Sequence, residues 1–166
     1  MIARASTRER SASILAWVST ALRFALAGVL LAAGGLKAID PQSSVAAVRA
    51  YQVLPPGAEL LVGWALPFVE IAVGLLLVAG IATRVVAVAT ALIFTVFIVA
   101  VTSAWQRGLS IDCGCFGGGG TVAADETNYL QRLLEDVGLL ACGLWLTLRP
   151  GARLSLDRAM FRPATT

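Results

Sequence analysis

Residues 84–105 read RVVAVATALIFTVFIVAVTSAW. No charged side chain lies between Arg84 and Trp105, and the run is rich in Val, Ala, Ile and Phe. A helix needs about 20 apolar residues to cross the hydrocarbon core of a bilayer, so this run has the reach of a membrane span. Working outward, the same character recurs from about Ile14 to Ala38, Ala58 to Gly80 and Tyr129 to Leu148. The 166-residue chain is 58% hydrophobic and 14% charged, whereas a globular chain carries about 25% charged residues. So few charges do not cover a water-facing surface, and lipid is the expected solvent.

The length is that of one domain. Short connections favour antiparallel neighbours, so the expected fold is all-α, an integral membrane antiparallel four-helix bundle with both termini cytoplasmic. Its spans are residues 14–38, 58–80, 84–105 and 129–148. They make a transmembrane domain over 14–148, flanked by basic cytoplasmic tails at 1–13 and 149–166, with an extracytoplasmic loop over 106–128. Asp40-Pro41 ends the first span. Residues 40–58 form a polar connection in which Val45 to Val53 can make a short surface helix, broken by Pro55-Pro56. The first run also has the basic lead of a signal peptide, but it is longer than a usual h-region and resumes on each side of Arg23. Trp105 suits the interfacial aromatic belt, and the first turns of the fourth span, with Arg132, Glu135 and Asp136, stand in the headgroup region or face the bundle.

Orientation follows from where the basic residues fall. Arg4, Arg8 and Arg10 precede the first span, Arg84 opens the third, and Arg149, Arg153, Arg158 and Arg162 follow the fourth. The other two connections carry Arg49 and Arg107 against Asp40, Glu59, Asp112, Asp125 and Glu126. With an even number of spans, all three basic regions lie together in the cytoplasm. The connection 40–58 and the loop 106–128 then lie outside. The basic residues sit mostly in tails that hold a single aromatic, Phe161, for a net charge of only +3, which argues against nucleic acid as a partner. The chain has no histidine, which removes the commonest general base and transition-metal ligand.

Chemistry concentrates in Asp112-Cys113-Gly114-Cys115-Phe116-Gly117, continued by Gly118-Gly119-Gly120. On the outer side, thiols meet an oxidising compartment. Cys113 and Cys115 come within disulfide range only if the backbone bends sharply, and Gly114 permits the bend. Such a small ring should be strained, and strained, exposed disulfides are the exchange-competent ones. A structural staple is the bland alternative, although so small a ring removes little loop entropy. A metal site is another, but tetrahedral zinc wants four ligands. Cys142, about 18 Å along the fourth helix at 1.5 Å per residue, reads as a packed thiol; a relay role would need the loop to dip into the bundle. Arg23 and Glu70 are charges within spans, where an ionisable residue is a functional candidate. Counted from the outer helix ends, their depths differ by about 6 Å, so they are expected to pair, either to fix register or to handle a proton or a polar head group. Lys37, at the outer end of the first span, is expected to snorkel to the interface, where its charge would favour a nearby thiolate while Asp112 opposes it.

Several segments together resemble the DoxX-like superfamily and, within it, the methylamine-utilisation MauE membrane proteins. They are Arg23 and Gly28 followed by Gly35-Leu36-Lys37-Ala38-Ile39-Asp40-Pro41, then Tyr51-Gln52-Val53-Leu54-Pro55, Pro67-Phe68-Val69-Glu70 with Gly74 and Gly80, and the cysteine motif itself. The resemblance covers about residues 20–148. It implies a four-helix, multi-pass protein of the bacterial plasma (inner) membrane that takes part in the redox maturation of exported proteins. It also implies an extracytoplasmic thioredoxin-like partner, which this chain does not contain. DoxX relatives are linked to quinone as an acceptor, so quinone is the one cofactor the resemblance raises. The leading expectation is a membrane thiol–disulfide redox protein, a candidate oxidoreductase, exchanging through Cys113 and Cys115. Arg23, Lys37 and Glu70 would be its supporting intramembrane charges. The alternatives are a non-catalytic assembly factor with a structural Cys113–Cys115 disulfide and a quinone-linked oxidoreductase subunit.

Overall fold

The computed structural model describes residues 2–115, 117–123, 127–151 and 154–157, with side chains from Ser13 onward. The described residues are mostly helical: α1 (Ile2–Ile39), α2 (Pro41–Ala50), α3 (Ala58–Ala79), α4 (Thr83–Gln106) and α5 (Tyr129–Leu148). Among them α1 over Ser13–Ile39, α3 and α4 are long and apolar enough to cross a membrane. Two features depart from the expected organisation. Helix α1 runs back to Ile2, through a segment expected to be a tail. The loop holds a two-strand ribbon, β1 (Ile111–Asp112) against β2 (Gly120–Thr121), so the fold is not purely helical.

Helix α2 starts as its sequence dictates. The Asp40 carboxylate accepts from the Ser43 amide at 3.2 Å and the Ser43 hydroxyl at 2.5 Å, and Pro41 opens the first turn, where its missing N–H is no loss. These hydrogen bonds, the Ser43 hydroxyl's first, hold the Asp40 carboxyl below its usual range. Helix α2 lies across α3 at Gly63, where an added Cβ would come 2.7 Å from Val45. Pro67 has no N–H to offer the Gly63 carbonyl four residues back. The Ser44 hydroxyl donates to that carbonyl instead, at 2.9 Å. A proline-freed backbone group is thus satisfied by a neighbouring helix, as low-dielectric surroundings require.

Helix α1 packs on α3, and α4 on α5. Small residues set the first contact: a Cβ at Gly34 would sit 2.7 Å from the Pro67 carbonyl oxygen, and one at Gly74 2.8 Å from Leu31. Close backbone approach of this kind is how apolar helices gain packing contact when lipid offers no hydrophobic drive. The core between the helices includes Leu26, Leu30, Val73, Leu77, Phe94 and Leu146. Outward, α4 shows Val85, Val88, Leu92, Val96 and Val99, one helical stripe suited to lipid.

At the end opposite the cysteine loop, Gly80 closes α3 in the left-handed conformation, its amide donating to Leu76 and Leu77. The Asp157 carboxylate accepts from the Ala82 amide at 2.7 Å and the Thr83 amide at 2.8 Å, capping the positive end of α4. Arg23 is fully buried there and donates to the Leu154 carbonyl at 2.8 Å. The expected Arg23–Glu70 pair therefore does not form. Counting depth from the outer helix ends assumed that those ends are level. Gly34 instead faces Pro67 and Glu70, so α3 extends past α1 alongside α2, and Arg23 comes level with Gly80.

Candidate functional site

The ribbon pairs Ile111 with Thr121 and Asp112 with Gly120. It pinches off the stretch between them as a compact loop seated on α2. Gly114 has φ +65°, and a Cβ there would meet the Ala47 Cβ at 2.5 Å; one at Gly119, φ +109°, would meet it at 2.4 Å. Only glycine combines that backbone with that approach. The turn brings the Cα atoms of Cys113 and Cys115 to 5.4 Å, with their sulfurs in contact, a separation within the range disulfides span. The Cys115 amide donates to the Cys113 sulfur at 3.3 Å, and the Gly114 amide to the Asp112 carboxylate at 3.4 Å. Phe116, Asp125 and Glu126 lie outside the described residues.

Side chains from outside the loop hold it down. The Tyr51 hydroxyl donates to the Cys113 carbonyl at 3.3 Å. Burial, helped by the charge of Asp136, pushes the Tyr51 phenol above its ordinary range, so it stays a neutral donor. Arg107 clasps the chain around Tyr51, donating to the Gln52 carbonyl at 3.3 Å and to the Tyr51 carbonyl. The Tyr129 hydroxyl donates to the Leu109 carbonyl, and its ring stacks on Trp105 with centroids 6.1 Å apart.

Beneath the loop lie the buried charges. The Lys37 ammonium meets the Glu70 carboxylate at 2.6 Å, with the two side chains 5% and 0% exposed. Lys37 also sits over the Phe97 ring, 5.4 Å from its centroid. Lys37 does not snorkel outward as expected, because a carboxylate lies within its reach inside the bundle. Asp136 of α5 is buried close by, and both it and Glu70 have one carboxylate oxygen with no hydrogen-bond partner.

The two cysteines border different spaces. Cys113 lines a polar hollow with Asp112, Asn128, Tyr129 and Arg132. Cys115 lines a small cavity with Glu70, Glu135 and Asp136. Both, together with Lys37, line an apolar cavity of about 280 Å³ walled by Ala47, Val48, Tyr51 and Phe97.

Of the residues singled out in the sequence, the structure brings Cys113, Cys115, Lys37 and Glu70 to one end and leaves Arg23 at the other. Cys142 packs against the main apolar core as a free, half-buried thiol. Asp136, Tyr51 and Arg107 join the site without having been singled out as functional. The signal for Asp136 was its helical stripe: Asp136, Gly143 and Leu146 are buried together, at the spacing of one inward face.

Residues 15–149 match the family model described as methylamine utilisation protein MauE. No curated protein and no solved structure matches the chain.

Proposed function

We propose a redox function for this chain, which belongs to the MauE family of methylamine utilisation proteins: it exchanges disulfides with a thioredoxin-like partner outside the bacterial plasma membrane through Cys113 and Cys115. The observation that carries this reading is the contact of the two sulfurs in a glycine loop pressed onto α2, directly above a buried ion pair. In this reading α5 is the fourth span of an antiparallel bundle, with both termini cytoplasmic and the cysteine loop outside. The distribution of arginines supports that orientation.

The chemistry is thiol–disulfide exchange. A partner thiolate attacks Cys113, the cysteine that borders the outer polar hollow. The Cys113–Cys115 bond breaks, a partner–Cys113 disulfide forms, and Cys115 leaves as a thiolate. A second partner thiolate then attacks the mixed disulfide and releases Cys113. The partner has lost two electrons and the cysteine pair has gained them; relative potentials decide whether this sequence or its reverse runs. Lys37 and Glu70 anchor the floor of the site, and Arg23 closes the opposite end of the bundle.

Trapping tests the reading. In Cys115→Ser, the remaining Cys113 holds the partner as a disulfide-linked adduct that reductant releases. In Cys113→Ser the adduct is much weaker. Absence of any reductant-sensitive adduct in both variants, at normal membrane levels, contradicts the proposal.

A further inference from the structure

A cavity of about 20 Å³ lies under the cysteine loop between α1, α3, α4 and α5, with Cys115, Glu70 and Asp136 on its wall. One water needs about 10–15 Å³ and several polar neighbours. The wall supplies them: Glu70 is 0% exposed and Asp136 5% exposed, and Glu70 Oε2 and Asp136 Oδ2 are buried without a hydrogen-bond partner. Unpartnered buried carboxylate oxygens are costly, and a water in the cavity that both residues line would offer them a donor.

The surrounding charges do not balance. Lys37 of α1 pairs with Glu70 of α3 through Oε1. Glu135 of α5 also lines the cavity, but its carboxylate accepts from Gln131 at 2.9 Å and Arg132 at 3.1 Å. The Tyr51 phenol is a neutral neighbour of Asp136. Helix α4 contributes Phe94 and Phe97 to the wall. Arg132 of α5 also acts on Asp136, so two cations, Lys37 and Arg132, face three carboxylates, and a single proton on the carboxylates removes the excess charge.

We infer that Glu70 and Asp136, acting through one water in this cavity, exchange a proton with the sulfur of Cys115. The inference rests on the redox reading above. When a thiolate attacks Cys113, Cys115 leaves as a thiolate facing two carboxylates. The proton held on those carboxylates crosses the water to the sulfur, leaving a neutral thiol and a carboxylate. In reverse, the carboxylate takes the thiol proton and frees the Cys115 thiolate to attack a mixed disulfide. No electrons move beyond those of the exchange itself. The arrangement divides the labour: Cys113 meets the partner, and Cys115 meets the proton store.

The experiment uses the full-length oxidised protein in lipid nanodiscs, with Cys142→Ala to leave one pair of cysteines. Dithiothreitol reduces the pair from mildly acidic to alkaline pH, and each rate is divided by the concentration of dithiothreitol thiolate. With an internal proton donor the normalised rate rises toward acid, by roughly a hundredfold or more. Asp136→Asn and Glu70→Gln flatten that rise, and Asp136→Glu restores it. An unchanged slope in the Asn and Gln variants, with or without a uniform drop at every pH, shows that the carboxylates only position the loop and overturns the inference. A wild-type pair that dithiothreitol does not reduce at any pH overturns the redox reading, and the proton relay with it. Circular dichroism of each variant identifies misfolding, and Asp136→Glu then carries the comparison.

Discussion

Replacing Glu70 with Gln removes the one carboxylate in ion-pair contact with the buried Lys37 ammonium. The pair is close, 2.6 Å, and both side chains are almost wholly removed from solvent. Breaking one partner of a buried pair costs about 3–5 kcal/mol, because the surviving charge keeps its desolvation penalty. The Phe97 ring beside Lys37 is present in both proteins and cancels from the difference, whereas the Asp136 carboxylate still acts on Lys37 and offsets part of the loss. The expected loss is thus near the low end, about 3 kcal/mol, or roughly a hundredfold in the folding equilibrium. Removing both charges, as in Lys37→Met with Glu70→Gln, should restore most of the loss, since neutral replacements of buried pairs are often tolerated. The assay is equilibrium unfolding in mixed micelles, followed by tryptophan fluorescence. A Glu70→Gln loss below about 1 kcal/mol, or single-variant losses that simply add, would refute the buried-pair reasoning, since contacting residues couple by about 0.5–3 kcal/mol.

Three further outcomes follow from particular contacts. Ser44→Ala should cost about 1–3 kcal/mol by orphaning the Gly63 carbonyl, and almost nothing in a Pro67→Ala background, where α3 regains its own N–H donor; the same unfolding assay reads both. Gly114→Ala should destabilise by about 2–4 kcal/mol, combining a left-handed backbone with a clash on Ala47, and Ala47→Gly should relieve the clash but not the backbone term. Hydrogen bonds from the Thr83 amide, foremost, hold the Asp157 carboxyl below its usual range, so its contribution is full above the ordinary carboxylate pKa and is lost as pH falls through the depressed value. Asp157→Asn should therefore remove part of the acid limb of stability, measured as unfolding midpoint against pH.

Much of the fold was legible because long apolar runs announce helices directly. The bounds of α3, α4 and α5 follow from long runs poor in charge and from the glycine at position 80. The cysteine loop was legible as well, since only a glycine-rich turn lets Cys113 meet Cys115. The pairing of Lys37 with Glu70 was not. It depends on how far α3 slides along α1, and that offset is set by contacts remote in sequence, Gly34 against Pro67 and Gly63 against Val45. Without the offset, Arg23 looked like the nearer partner for Glu70. Asp136 was read only as part of a polar first turn, because Arg132 and Glu135 beside it dominate that stretch. Its burial comes from the packing of α5 on α4, where a Cβ added at Gly143 would come 3.5 Å from Ala91.

The redox role of the loop is tested most directly by the oxidation state of Cys113 and Cys115 in intact membranes. A heavy, membrane-impermeant thiol reagent is applied from the outer side before and after mild reduction, in wild type and in the single-cysteine variants. A mixture of thiol and disulfide that shifts with a thioredoxin-like partner is the predicted result. A pair locked as a disulfide under every mild condition, or labelling only from the cytoplasmic side, would contradict it.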